Sequence, residues 1–304
     1  MSDSKTGILA MIGACMIWGL SPLYYKLLTN VPPLELLAHR TLWSLVTFAA
    51  LLAFQGRLGV LRETLRSPRA AAILGFAALM ISVNWFLFIF SVQIGRVTET
   101  SLGYYMFPLV AVLLGVVVMK ERLGRWQWLA VALAALGVAQ LTWGLGAAPW
   151  ISLTLALTFG LYGIVKKRLS TGPVVSVTAE VTLLSPIGII WLGWLHSHGQ
   201  GVFGHDLRTS ALLAFSGLLT ALPLILFSKA AQKISLSTVG LLQYLNPTLQ
   251  FFCAVVIFGE SFTGYHAVAF ALIWLALAIY SWVSISQDRA RRKSAATSLA
   301  EAPL

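Results

Sequence analysis

Two ionisable side chains stand inside long apolar stretches, where a charge is costly unless it faces a protein interior or a water-filled path. Arg40 lies about five residues into the run 35–54, roughly 8 Å below its boundary at 1.5 Å per residue. Glu180 lies at a comparable depth from the opposite side, in the run 173–195. A guanidinium at that depth suits an anionic group such as a carboxylate, and a carboxyl suits an amine or a coupling proton. His39, beside Arg40, belongs to the one residue type that ordinarily titrates near neutral pH. The bland alternative is that these groups are polar anchors that tie helices together.

Three prolines extend the candidate set. Pro22, Pro108 and Pro247 fall within apolar runs, where each removes one backbone hydrogen bond and kinks the helix, so they are expected hinges. The freed carbonyls belong to Trp18, Tyr104 and Gln243, and in lipid such carbonyls are tolerated where they face protein or a wet cavity. Asn84, Tyr244 and Asn246 add amide and hydroxyl groups at membrane depth. The expected substrate-binding set is therefore Trp18, His39, Arg40, Asn84, Tyr104, Glu180, Gln243, Tyr244 and Asn246, with Glu180 also the candidate for proton coupling. Aromatic walls with a few polar groups suit a flat or amphiphilic organic ligand better than a bare ion. Helix-packing hydrogen bonds are the competing use of the same groups.

The elements that hold these residues follow from composition. Of 304 residues, 58% are hydrophobic and 10% charged, against about 25% charged in an ordinary soluble domain. Apolar blocks this long exclude a single soluble domain, a disordered chain and an alternating β-barrel. A helix needs about 20 apolar residues to cross a bilayer, which gives ten spans near 7–28, 35–54, 70–94, 99–119, 126–145, 150–166, 173–195, 210–231, 238–258 and 264–285. The sixth is short and is expected to begin earlier than residue 150. With the N-terminus in the cytoplasm, 16 of the 21 Lys and Arg residues fall in inside segments and only Arg96 and Arg208 outside, so the cation bias puts both termini in the cytoplasm. Lys26 and Lys229 lie near span ends, where a Lys stem reaches the interface. Trp126, Trp128, Trp143 and Trp150 read as interface anchors. The first span reads as an uncleaved helix rather than a signal peptide, and the tail 287–304 as disordered.

Other features carry less. Cys15 and Cys253 read as packing residues, with no disulfide framework or zinc ligand set. His196, His198, His205 and Asp206 share the longest outer loop without defensible metal spacing. No nucleotide-binding loop or hydrolase motif occurs, so neither a cofactor nor a metal is expected, and the basic balance marks topology rather than nucleic acid.

The chain also repeats itself. A shift of 139 places Pro108 on Pro247, Glu121 on Glu260, Tyr105 on Tyr244 and Phe88 on Phe227; a shift of 141 places Gly19 on Gly160, Lys26 on Lys167 and His39 on Glu180. Each unit holds five spans, and an odd number reverses direction, so the units 1–146 and 147–286 are expected as inverted repeats. Many secondary transporters are laid out so, with a site near the midplane where the halves meet. Glu121 and Glu260 open matching turns and read as helix caps or loop pairs.

Several segments together resemble the drug/metabolite transporter superfamily in its EamA-type branch: Ile17-Trp18-Gly19-Leu20-Ser21-Pro22 with Tyr25-Lys26, Ala38-His39-Arg40, Asn84-Trp85-Phe86-Leu87-Phe88-Ile89, Ser101-Leu102-Gly103-Tyr104, the Glu121-Arg122 turn, Gln243-Tyr244 with Pro247-Thr248, and Gly259-Glu260. The similarity runs from about residue 6 to 285. It implies an all-α integral membrane protein, with ten transmembrane helices as two inverted five-helix repeats around a central cavity. It further implies a bacterial inner-membrane exporter of small metabolites or drugs. Amino acids, other amphiphilic metabolites and aromatic drugs all fit, a homodimer is compatible, and the rival classes are a channel or passive scaffold and, more weakly, an intramembrane enzyme.

Overall fold

The computed structural model describes residues 3–120, 123–146, 148–167, 172–234 and 236–300. The order is α1 Asp3–Lys26, α2 Pro33–Phe54, α3 Leu58–Arg66, α4 Pro68–Gln93, α5 Val97–Met119, α6 Arg125–Leu145, α7 Trp150–Lys167, α8 Pro173–Ser197, α9 Leu207–Lys233, α10 Leu236–Gln243, α11 Leu245–Phe252 and α12 Gly264–Ala300. Among the described residues nine segments are long and apolar enough to cross a membrane, and Trp150–Lys166 is a shorter apolar helix. The protein is an all-α membrane protein, with no strand among those residues.

Local chemistry explains the boundaries. α2 and α8 begin on Pro33 and Pro173, residues pre-set for a first helical turn. Asp206 caps α9 by accepting from the Thr209 amide at 2.7 Å, and Ser67 caps α4 through the Ala70 amide. α7 starts at Trp150, later than expected, because Ala148 precedes a proline and the helical region is disfavoured there.

Four features depart from the spans drawn from sequence. The loop carrying Arg57, Arg62 and Arg66 holds a nine-residue amphipathic helix, α3, none of whose residues is buried. The ninth span is broken at Tyr244 into α10 and α11 and closes on a π-helical stretch, Cys253–Ile257. α8 and α9 carry internal prolines, Pro186 and Pro223, beside those in α1 and α5. The last helix runs to Ala300, past residue 287 where a disordered tail was expected; that stretch is rich in Ala, Arg and Lys, which are good helix formers.

Packing repeats with the sequence. α1 packs on α9 and α11, while α7 packs on α4 and α5; α2 pairs with α8, and α6 with α12. Exchanging first-half with second-half spans turns α1–α9 into α7–α4 and α1–α11 into α7–α5, and returns α2–α8 and α6–α12 to themselves. Gly19 shows why the match is close. A Cβ there would lie 2.7 Å from the Leu249 side chain, and one at Gly160 would lie 3.5 Å from Val110 and 2.9 Å from Leu114. The shift of 141 carries Gly19 to Gly160 and the shift of 139 carries Val110 to Leu249, so one close approach is made twice.

Polarity is distributed as a bilayer demands. Arg40, Asn84 and Glu180 are 7%, 1% and 1% exposed, while Ile190 and Trp282 on the perimeter are 72% and 62% exposed. Cys15 and Cys253 are free and buried.

Candidate functional site

Arg40 stands seven residues into α2, about 10 Å along the axis from its first residue. Its Nε donates to Thr220 Oγ1 of α9 at 3.1 Å, the one hydrogen bond it makes among the described residues. The guanidinium lies 4.0 Å from the Trp85 ring centroid and 5.8 Å from that of Tyr25. A desolvated cation on an indole face gains roughly 2 kcal/mol, which holds the charge without neutralising it. No carboxylate pairs with Arg40 among the described residues, so its remaining donors are open to an anion.

A polar cluster sits beside it. Asn84 donates from Nδ2 to the Leu155 carbonyl at 3.0 Å and to Thr158 Oγ1 at 3.2 Å. Its Oδ1 accepts from the Tyr104 hydroxyl at 2.9 Å. One amide thereby joins α4, α5 and α7, using the packing role that sequence allowed for it.

Glu180 stands seven residues into α8, near the other end of the bundle. Its Oε1 accepts from Lys166 Nζ at 2.6 Å and its Oε2 from the Tyr162 hydroxyl at 3.1 Å. Lys166, counted in sequence among the loop cations, turns inward instead and also donates to Ser176. The amine expected on Glu180 is thus the protein's own, and Arg40 and Glu180 share no partner.

Aromatic rings join the two charged groups. Tyr162 stacks on Phe159 (6.0 Å between centroids), Phe159 meets Tyr104 edge-on (5.9 Å), Tyr104 meets Phe88 (6.1 Å), and Phe88 meets Tyr25 edge-on (5.6 Å). Tyr25 is the ring under Arg40. The row runs through α7, α5, α4 and α1.

The other expected site residues lie elsewhere. Trp18 is half-buried against Phe227 of α9, 6.0 Å away, and its carbonyl, freed by Pro22, accepts from Ser21 Oγ at 2.6 Å within its own helix. An apolar groove between α1 and α9 is lined by Met16, Ile17, Leu20, Ser21, Tyr24 and Leu219, without Trp18. Tyr244 stacks on Tyr105 (6.4 Å) in the cluster of α5, α6 and α12. Asn246 accepts from Gln250 Nε2 at 2.8 Å, and Gln243 ends α10 at the break. Pro22 and Pro108 lie in unbroken helices, and Pro247 in the first turn of α11, where its carbonyl accepts from Ser101 at 2.8 Å.

His39 belongs to a separate group where the loop 198–206 meets α2. It stacks on Phe203 at 4.8 Å and lies 3.9 Å from the buried Glu35. His196, expected in that loop, lies in the last turn of α8, where its ring contacts the Leu192 and Phe203 carbonyls. Asp206 is exposed, and its bonds from Thr209 hold its carboxyl below the ordinary aspartate range. Glu260 is a cap: its oxygens accept from the Val97 amide at 2.6 Å and the Thr98 amide at 2.7 Å. Its repeat mate Glu121 lies outside the described residues.

Trp85, Tyr25, Thr220, Lys166, Tyr162 and Glu35 were not singled out from sequence as site residues. The repeat carried part of the missing signal: the shift of 141 that aligns His39 with Glu180 also aligns Tyr25, under Arg40, with Lys166, on Glu180.

Buried charges within a doubled bundle of apolar helices describe a multi-pass membrane protein, and its family is that of transporters. The chain belongs to the EamA-like transporter family, whose model matches residues 5–143 and 147–282. It is similar to Protein RarD of Streptomyces exfoliatus, 42% identical over 99% of this chain and 97% of that one. An uncharacterized transporter of Pseudomonas aeruginosa is 41% identical over 92% of this chain and 95% of its own length. A chloramphenicol-sensitive protein RarD of the same organism is 31% identical over 96% and 99%. These relatives make the chain a RarD-like protein of the bacterial membrane. A crystal structure 21% identical to it shares the fold, with a TM-score of 0.58 over 91% of this chain and 98% of that one.

Proposed function

We propose that the protein is a secondary-active carrier that exports small organic solutes of aromatic or amphiphilic character, working by alternating access of its two five-helix halves. Both termini are then cytoplasmic, a reading supported by the cation bias of the loops. The observation that carries the reading is the row of rings from Tyr162 to Tyr25 between two charged groups, Lys166–Glu180 at one end and, at the other, Arg40, which pairs with no carboxylate among the described residues. Arg40 takes an acidic group of the solute, the rings take its apolar body, and Glu180 exchanges Lys166 for a solute amine or a proton.

Ligand-induced stabilisation of the purified chain tests this. The probes are tryptophan, phenylalanine, tyrosine and chloramphenicol, the last suggested by the name of the Pseudomonas aeruginosa relative. A probe at 100 times its Kd stabilises by about 2.7 kcal/mol. The shift is expected in the parent and lost in Arg40→Ala. A shift equal in both proteins removes Arg40 from the site, and no shift with any probe contradicts this solute class.

A further inference from the structure

The short helix α3, between the span that ends at Phe54 and the span that begins at Pro68, takes no part in the solute path. Residues 55–57 join it to the first of these spans, and Ser67 joins it to the second. Such links reach at most about 14 Å and 7 Å at 3.5 Å per step, so α3 is held at the level of the membrane surface. Gly56 turns the chain out of α2 at once. Its φ is +65°, and the next amide, that of Arg57, donates back to the Leu52 carbonyl at 2.9 Å, a glycine-closed helix end.

Leu58, Leu61 and Leu65 recur at spacings of three and four, and so form one strip of the helix. Arg62 and Arg66, one turn apart, border that strip, and Glu63 is opposite it. α3 packs on α4 and α8, and Leu61 and Leu65 are half-buried. Leu58 stays 46% exposed and Phe54, four residues earlier, 92%, so the bundle covers only part of the apolar side. A helix of nine residues is too short to be stable on its own in water, and lipid is the apolar phase at hand for the rest.

The charges are as selective as the strip. Between residues 55 and 72 the cations are Arg57, Arg62, Arg66 and Arg69, with no lysine, and Glu63 is the one carboxylate. Cations that only set topology serve equally as lysine or arginine, whereas a guanidinium fork grips a phosphate at two points. Arg57 lies by α8, its Nη2 3.8 Å from where a Cβ on Gly172 would stand. Arg62, Arg66 and Arg69 are exposed, and among the described residues none of the three is in an ion pair.

We infer that α3 binds anionic phospholipid at the membrane surface, with Phe54 and Leu58 among the acyl chains and Arg62, Arg66 and Arg69 on headgroup phosphates. A helix with an apolar strip and a basic border lies in the interface plane, and it gains both from buried apolar area and from attraction to anionic lipid. Each arginine near such a surface adds a roughly fivefold preference, which salt screens. The site depends neither on the solute nor on the direction in which the chain crosses the membrane, so it stands or falls apart from the transport reading.

Native mass spectrometry of the full chain in detergent tests this, with phosphatidylglycerol and phosphatidylcholine of the same acyl chains as ligands. The parent should hold phosphatidylglycerol at least about tenfold more tightly, and a variant with Arg62→Gln, Arg66→Gln and Arg69→Gln should lose most of that preference. Removing as much charge from the end of α12, by Arg289→Gln, Arg291→Gln and Arg292→Gln, should leave it unchanged. Glycerol phosphate, which lacks the acyl chains, should not displace the lipid at equal concentration. Equal unfolding midpoints verify that the variants are folded. A parent that holds both lipids equally, an α3 variant with the parent's preference, an α12 variant that loses as much, or displacement by glycerol phosphate would each overturn the inference.

Discussion

Glu180 carries the clearest energetic consequence at the scale of single residues, because its neutralisation strands Lys166 beside it. Removing one partner of a buried pair costs about 3–5 kcal/mol, whereas replacing both by apolar groups is often neutral. Glu180→Gln should lower unfolding stability by that amount in purified protein, and Lys166→Met with Glu180→Gln should recover most of it. Equal stability of parent and single variant would mean that the 2.6 Å contact contributes nothing. Asp206 carries a pH dependence of known sign. Its carboxyl is held below the ordinary range by Thr209, so the cap is complete above the unfolded-state pKa and is lost as pH falls through the lower folded value. Exchange in the first turn of α9 should rise in acid in the parent and be raised at all pH values in Asp206→Ala. Arg40 and Glu180 were legible in the sequence because charges inside apolar runs are rare. Their surroundings were not: Lys166 resembles its loop neighbours Lys167 and Arg168, and nothing local distinguishes Trp85 from other membrane tryptophans.

Among elements, the α2–α9 contact is set by Gly217, where an added Cβ would lie 2.3 Å from the Trp43 carbonyl oxygen. Backbone cannot yield as a flexible side chain can, so Gly217→Val should cost at least the 1–3 kcal/mol usual for overpacking. It should also displace Thr220, and with it the hydrogen bond to Arg40. Chemical unfolding of the variant measures the cost, and a stability equal to the parent would show that the helices separate freely. Span positions were readable because hydropathy reports them directly. α3 was not, since its nine residues are too few and too polar for a hydropathy window. The break at Tyr244 was hidden because a proline announces a lost hydrogen bond without saying whether the helix bends or divides: α1 and α5 absorb theirs, and the ninth span does not.

For the whole molecule, the doubled arrangement was foreshadowed by Gly19 on Gly160 and Pro108 on Pro247, and the doubled glycine contact gives that alignment a physical meaning. Where sequence and structure part is the site itself, since the nine expected binding residues divide among several groups and only Arg40, Asn84 and Tyr104 share one polar neighbourhood. Helix periodicity places a side chain on a face but not which neighbouring helix that face meets. Orientation makes a prediction of its own: cysteines introduced at Glu63 of α3 and at Gln200 should label from opposite sides of intact inverted or right-side-out vesicles, with Glu63 on the cytoplasmic side.

Counterflow in proteoliposomes tests the central claim most directly. Vesicles loaded with unlabelled tryptophan, phenylalanine or chloramphenicol would be offered the labelled compound, with Arg40→Ala beside the parent. The account predicts saturable uptake stimulated from the far side, reduced at least about tenfold by Arg40→Ala, as the loss of a charged hydrogen bond of about 1.5–3 kcal/mol requires. Flux that rises linearly with concentration and shows no stimulation by internal solute would contradict a carrier.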